Sequence, residues 1–453
     1  MPAVPSTREQ VRAYRFGLRR LDSALQSGDP LPSVDPSRRT RVGLSVGLGA
    51  VALLVLASAI YGLIRPRPTI GDAVLVRDKD SGAVYVVRDG RLYPAVNLAS
   101  ALLAAGSAGR TPVKTVDAAT LQRYPRGPLI GIPGAPDSVV SRADVLPARW
   151  AACDHVGIAA SPQVTTLVGL DAAGELDPGQ AVLVRGPDGA YALLTRSARV
   201  PVSADPRVFR ALGIDAAQAR PTSSAVLDAI PDLPGVAAPV VPSAGRRPSY
   251  DLAGRRVGSV VRVERAATFD YYLLLRDGLQ PITPLMADLV RFTYAAAARI
   301  APATPSEVGR VPATRSPLPL PALRSAPTLA PAAPVICVSW HSRWVVSAHA
   351  RLPLPAGASA AGGVYVPSGR GAVVAAVSGT AGAATASRFL VTDEGIRYPI
   401  PDESVLGMLG LGGSAQPLPA ALVALLPLGP TLDPAKAKAS WTTPSSPTTV
   451  TDR

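Results

Sequence analysis

A run of 23 uncharged residues, Val42 to Ile64, divides a Pro-rich chain of 453 residues. At the helical rise of 1.5 Å per residue it spans about 34 Å, enough to cross a bilayer core with some tilt. It begins too late and runs too long for the apolar region of a secretory signal. Ala57-Ser58-Ala59 has the form of a cleavage site, but apolar residues continue beyond it to Ile64. The run therefore reads as a retained anchor, with 41 residues before it and one large domain after it.

Charge follows the same division. The net charge is +14, and +4 of it lies in the first 41 residues, where eight Arg face Glu9, Asp22, Asp29 and Asp35. The other +10 is spread over the long domain with no dense basic run beside aromatics, which argues against nucleic-acid binding. Arg38, Arg39 and Arg41 flank one end of the apolar run; Arg65, Arg67, Arg77 and Lys79 follow the other. The Arg-rich leader favours an N-terminus on the inside. The two cysteines agree, since a paired-thiol reading places the large domain in an oxidising compartment.

The leader predicts an amphipathic helix. Ser6 and Glu9 have capping-box spacing. Val11, Tyr14, Leu18, Leu21 and Leu25 recur at 3, 4, 3 and 4, one narrow stripe over four to five turns. Gly28-Asp29-Pro30 ends the pattern. Such a helix can lie on an anionic membrane surface, remain solvated, or dock its stripe onto a partner. The narrow, heptad-like stripe suits a protein groove best.

The large domain contains a degenerate repeat, with copies opening near residues 73, 181, 259 and 371. Each begins with a short apolar strand, such as Ala73-Val74-Leu75-Val76-Arg77. A Gly-bearing turn and a second strand follow. Asp89-Gly90, Asp277-Gly278 and Glu394-Gly395 then supply a reversal that tolerates positive φ. Pro94, Pro201, Pro281 and Pro399 mark a third strand's end or a sheet edge. A short apolar helix completes the unit. Between copies lie two stretches that each hold Trp, Cys and His: Trp150, Cys153 and His155, then Cys337, Trp340 and His341. The simplest architecture is a central core built from both stretches and joined by Cys153–Cys337, with four small units around it.

The expected organisation is a leader (1–41), a transmembrane helix (42–64), repeat 1 (65–136), a core segment (137–180), repeat 2 (181–245), repeat 3 (246–324), a second core segment (325–370), repeat 4 (371–432) and a disordered tail (433–453). The fold class is α+β.

Cys153, His155, Cys337 and His341 could form a structural zinc set, although the Cys-x-His spacing is tight and an oxidising compartment favours the disulfide. The histidines read as ordinary polar residues beside the core. No Gly-x4-Gly-Lys-Ser/Thr string occurs. The nearest stretch, Gly106 to Lys114, has the wrong spacing and contains Pro112, and Gly407 to Gly413 is followed by no Lys. No Gly-x-Ser-x-Gly elbow stands between a strand and a helix; the one such string, Gly43 to Gly47, lies inside the apolar run. Tyr85, Tyr93, Tyr191, Tyr271, Tyr272 and Tyr398 could stack on envelope glycans such as peptidoglycan, but their place in the repeats makes them strand-face residues first.

Three long stretches resemble one family. They are Thr7 to Phe16 (Thr-Arg-Glu-Gln-Val-Arg-Ala-Tyr-Arg-Phe), Gly90 to Ser100 (Gly-Arg-Leu-Tyr-Pro-Ala-Val-Asn-Leu-Ala-Ser) and Pro125 to Pro136, with Ile70-Gly71-Asp72 beside them. They resemble EccB, a single-pass core component of the type VII (ESX) secretion system of actinobacteria, and the resemblance covers the chain up to its tail. It implies a cytosolic leader helix, one span of the inner membrane, and an elongated periplasmic domain with four repeats around a disulfide-linked core. It further implies assembly with EccC, EccD, EccE and the mycosin protease, and self-association between copies. Some members of the family are described as ATPases, and ATP as a cofactor rests on that alone. The expected role is a structural subunit of the secretion machinery with no catalytic residue, metal or cofactor.

Overall fold

The structure is a computed structural model. It describes residues 7–28, 36–64, 69–107, 111–156, 162–266, 268–297, 299–360, 363–378 and 386–441. The chain forms two compact units, residues 1–69 and 70–453.

Among its described residues the first unit holds two helices. The leader helix is Arg8–Ser27. Its capping box lies one residue later than the Ser6–Glu9 expectation. The Thr7 hydroxyl accepts from Gln10 N, and Thr7 N donates to Gln10 Oε1 at 2.9 Å. The same Ser/Thr-x-x-Glu/Gln logic is satisfied by the neighbouring pair, and Ser6 lies outside the described residues. Gly28 ends the helix in the left-handed conformation, its N–H bonded to Ala24 O at 2.9 Å; Asp29 and Pro30 are outside the described residues. The second helix, Pro36–Ile64, starts several residues before the apolar run, and Thr40–Tyr61 is its membrane-length part. Its large apolar side chains, from Val42 to Tyr61, are exposed on every side. A helix that is apolar all round needs an apolar surrounding, and lipid supplies one.

The second unit is α+β. Its centre is a five-stranded sheet in the order Trp344–His349, Val335–Trp340, Trp150–Val156, Pro162–Val168, Val364–Tyr365. The two Cys-bearing stretches are adjacent antiparallel strands. Their register sets Cys153 opposite Cys337 and Trp150 opposite Trp340. Because side chains alternate across a strand, neighbouring residues serve different faces. Trp150, Ala152, Ile336 and Val338 pack toward the second and fourth repeats. Ala151, Cys153, Val335 and Cys337 pack under Leu170, Leu352 and Leu354.

Four small sheets surround this core, each a three-strand antiparallel meander with a fourth strand laid parallel to the first, and the second adds a fifth, Thr328–Leu329, parallel to its first strand as well. The first repeat illustrates the unit. Leu75–Asp78, Val84–Arg88 and Arg91–Pro94 form the meander, and Asp89 and Gly90 both take positive φ at the hairpin, as expected. The helix Leu98–Ala105 follows, capped by Asn97, and Val113–Val116 returns beside the first strand. The third repeat departs from expectation at Asp277-Gly278. Gly278 does not take positive φ; a Cβ there would sit 2.4 Å from Pro312 O and 2.7 Å from Thr314 N. Close backbone approach, rather than turn handedness, requires that glycine.

The far edge of each meander is closed by a strap that the sequence patterns did not reveal. Leu92, Arg199, Leu279 and Arg397 donate their N–H groups to Pro125, Pro231, Pro312 and Pro427, and accept from Gly127, Leu233, Thr314 and Gly429. A Pro two residues before each returning donor was the available signal.

The repeats pair out of sequence order. The first and fourth share one apolar core, with Leu102 and Leu103 beside Leu406 and Leu409. The second and third share another, with Val208 and Leu212 beside Leu289 and Val290. The central sheet packs against the fourth and second. The expected disordered tail is corrected up to Trp441. Asp433 caps a helix, Pro434–Lys438, and Ala437 is buried in the core shared by the first and fourth repeats. Ser440–Trp441 then pairs with Leu129–Ile130, and Trp441 Nε1 donates to Gly131 O at 2.7 Å. Local polarity is outweighed there by a ready-made apolar seat. Residues 442–453 lie outside the described residues.

Candidate functional site

The leader helix exposes the whole expected stripe. Val11 is 38% exposed, and Tyr14, Leu18, Leu21 and Leu25 are more exposed still, with Leu25 at 83%. Arg8, Arg12, Arg15 and Arg19 recur at 4, 3 and 4 and are exposed too. At about 100° per residue they form a second ridge on one flank of the apolar one. Phe16, also exposed, lies off the stripe. A helix of this form can seat apolar side chains in a groove while its arginines meet carboxylates or headgroups along one rim.

In the large unit, Cys153 and Cys337 form a disulfide, and both are fully buried. The expected alternative, a zinc set with His155 and His341, is not assembled. Both sulfurs are consumed in the bond. His155 Nε2 lies 3.2 Å from Thr165 Oγ1, and His341 Nδ1 lies 3.5 Å from Asp171. Among the described residues no group of three or more His, Cys, Asp or Glu side chains converges as a metal site.

The residue after Cys153 turns to the other face. Asp154 is fully buried and joins the central sheet to the second repeat. Its carboxylate accepts from Ser223 N at 2.6 Å and from the Arg220 guanidinium at 3.3 Å, and Arg220 also donates to Asp154 O and Pro334 O. Burial pulls the Arg220 guanidinium below its ordinary range while Asp154 opposes the shift. Sequence patterns missed this pair because its partners are 66 residues apart. A second tie links Glu175 to Arg343 and Arg196 at 2.8–2.9 Å. The hydrogen bonds from those two guanidinium groups hold the Glu175 carboxyl down at about 2.

All six tyrosines sit in the repeats. Tyr85 and Tyr398 are buried, and Tyr93, Tyr191, Tyr271 and Tyr272 are half-buried on their strands. Arg126, Arg88 and Arg185 lie over the rings of Tyr85, Tyr93 and Tyr191 at 5.3–5.9 Å, on the faces a sugar would need. Gly106 is the left-handed cap at a helix C-terminus, and Lys114 lies in the strand Val113–Val116. A phosphate cradle needs the opposite order, strand to helix N-terminus.

A family model described as type VII secretion system ESX-1, transport TM domain B, matches residues 3–444. The chain is 36% identical to the ESX-3 secretion system ATPase EccB3 of Mycolicibacterium smegmatis, across 94% of this chain and 89% of that one. It is 34% identical to the ESX-2 secretion system ATPase EccB2 of Mycobacterium tuberculosis, across 95% and 94%. Among solved structures it is similar to a chain of an intact ESX-5 inner membrane complex, with a TM-score of 0.70 at 28% identity over 100% of this chain and 99% of that one. It is similar also to a chain of the EccB3 dimer from the ESX-3 core complex, with a TM-score of 0.68 at 33% identity over 81% and 100%.

Proposed function

The chain belongs to the EccB family of type VII secretion transport proteins, and from that premise we propose that it is a structural membrane subunit of an ESX secretion machine. The observation that carries this reading is the combination, among the described residues, of one bilayer-length helix with a large folded unit built on four paired repeats. Related chains occur in an ESX-5 inner membrane complex, in its periplasmic assembly and in an EccB3 dimer.

In this reading the leader lies in the cytosol, the apolar helix anchors the chain in the inner membrane, and the large unit stands in the periplasm. The buried disulfide supports that side, because an oxidising compartment maintains it. Val11, Tyr14, Leu18, Leu21 and Leu25 dock onto the membrane components EccC, EccD or EccE, and the large unit joins other copies and the mycosin protease. The chain acts by positioning these partners rather than by hydrolysis. Some relatives carry ATPase in their names, yet this sequence lacks the Gly-x4-Gly-Lys-Ser/Thr string that cradles phosphates.

Purification of the full-length chain in mild detergent tests this. A large multi-protein complex is the expected product, and removing residues 1–25 should weaken it. Recovery of the free chain alone would overturn the reading. ATP turnover by the purified protein, abolished by a point substitution, would replace it with an enzymatic one.

A further inference from the structure

The fourth strand of each repeat can be compared residue by residue through its register. Thr115 lies opposite Arg77, Pro221 opposite Arg185, Pro302 opposite Arg262 and Pro417 opposite Ala375. Two residues further on stand Asp117, Ser223, Thr304 and Pro419, each the N-cap of the next helix. The same structural position therefore holds Pro in three repeats and Thr115 in the first.

In a parallel ladder, residues bonded to the neighbouring strand alternate with residues whose N–H and C=O face away. The residue after this position is bonded inward: Thr222 N donates to Arg185 O, Ala303 N to Arg262 O, and Val116 O accepts from Lys79 N. The Pro/Thr position consequently faces outward. Proline there removes an outward donor, a known protection for a sheet edge. The second and third repeats also shorten the strand to two residues, and the fourth adds Pro419. The first repeat has neither protection. Val113–Val116 is four residues long and contains no Pro. Among the described residues, no backbone hydrogen bond from outside the sheet reaches Val113 or Thr115.

A groove of about 310 Å³ runs beside this edge, lined by Arg77, Leu98, Thr111, Pro112, Val113 and Thr115. The Thr111 hydroxyl is buried and has no hydrogen-bond partner among the described residues. Among the described residues no carboxylate pairs with Arg77. Lys114 and Lys79 add positive charge along the same edge. We propose that Val113–Val116 is a strand-addition site for an extended segment of a different subunit, with a carboxylate of that segment entering the groove to meet Arg77 and Thr111. Main-chain bonds along Val113 and Thr115 supply affinity, and the groove supplies selection. Pairing with a second copy of the same edge would bring Lys114 of both copies close together, an unfavourable like-charge arrangement. The inference rests on the reading of the chain as a subunit that joins others.

Hydrogen exchange on the full-length chain tests it, comparing the assembled detergent complex with the isolated chain. The Val113 and Thr115 amides should exchange at least about ten-fold more slowly in the complex. A photo-crosslinking residue at position 114 should map to an extended, carboxylate-bearing segment of a different protein. T115P should abolish Val113 protection while leaving the isolated chain's Tm within about 2 °C, because three sister strands carry Pro at this position. R77E, a surface change that leaves the backbone alone, should reduce the crosslink about ten-fold, and a charge-reversing partner variant should restore it. Equal exchange in both states, a crosslink to another copy of this chain, or protection that survives both variants would overturn the inference. An intact complex with an unprotected edge leaves the subunit reading standing; absence of any complex removes both.

Discussion

The Arg220 guanidinium meets the fully buried Asp154 carboxylate at 3.3 Å across the seam between the central sheet and the second repeat. Asp154→Ala leaves that guanidinium buried without its charge partner. It also leaves Ser223 N, at 2.6 Å from the carboxylate, without an acceptor. The expected loss is about 3–5 kcal/mol, read as a lower denaturant midpoint. A loss below about 1 kcal/mol would show that the seam holds without the pair.

The Cys153–Cys337 bond closes a loop with a sequence separation of 184. Chain entropy alone assigns such a loop about 5 kcal/mol, and measured values for native bonds run at about 2–5. Replacing both cysteines with Ala should lower unfolding free energy by about 2–5 kcal/mol in oxidising buffer. The wild type should also lose stability on prolonged reduction, while the double variant should be indifferent to reductant.

Glu175 gives a pH signature with a defined sign. Its folded carboxyl is held at about 2, below the ordinary 4.5, first by Arg343 and then by Arg196. A depressed carboxyl stabilises the fold fully above the unfolded value and ceases to do so as pH falls through the folded one. The Tm gap between wild type and Glu175→Gln should therefore be constant above about pH 5 and close between about pH 4.5 and pH 2. A gap that widens on acidification would refute the assignment.

Two Gly→Ala changes should have opposite signs. At Gly429 an added Cβ would meet the Tyr398 ring at 2.4 Å, so Gly429→Ala should cost about 1–3 kcal/mol. At Gly407, within the helix Glu403–Met408, nothing lies within 4 Å of the added atom. Gly407→Ala should stabilise by about 0.4–1 kcal/mol through the unfolded chain and helix propensity. Thermal unfolding of the two variants side by side settles both.

By itself the sequence determined what depends on neighbours along the chain. The uncharged run from Val42 to Ile64 reads as a helix because length and polarity suffice. Asp89-Gly90 reads as a hairpin because few residues accept positive φ, and the 3, 4, 3, 4 stripe from Val11 to Leu25 reads as one helix face because helical period is local. The four repeats were legible for the same reason, and the Cys153–Cys337 link because the chain holds two cysteines and no more. Only the tertiary structure decided what depends on which apolar faces meet. It paired the first repeat with the fourth and the second with the third, brought Arg220 to the buried Asp154, and gave Ala437 a seat that orders residues beyond 433. It also revealed that Thr115 occupies the position Pro holds in the other three repeats. Burial is a property of surfaces brought together over long separations, and no local pattern encodes which surface will arrive.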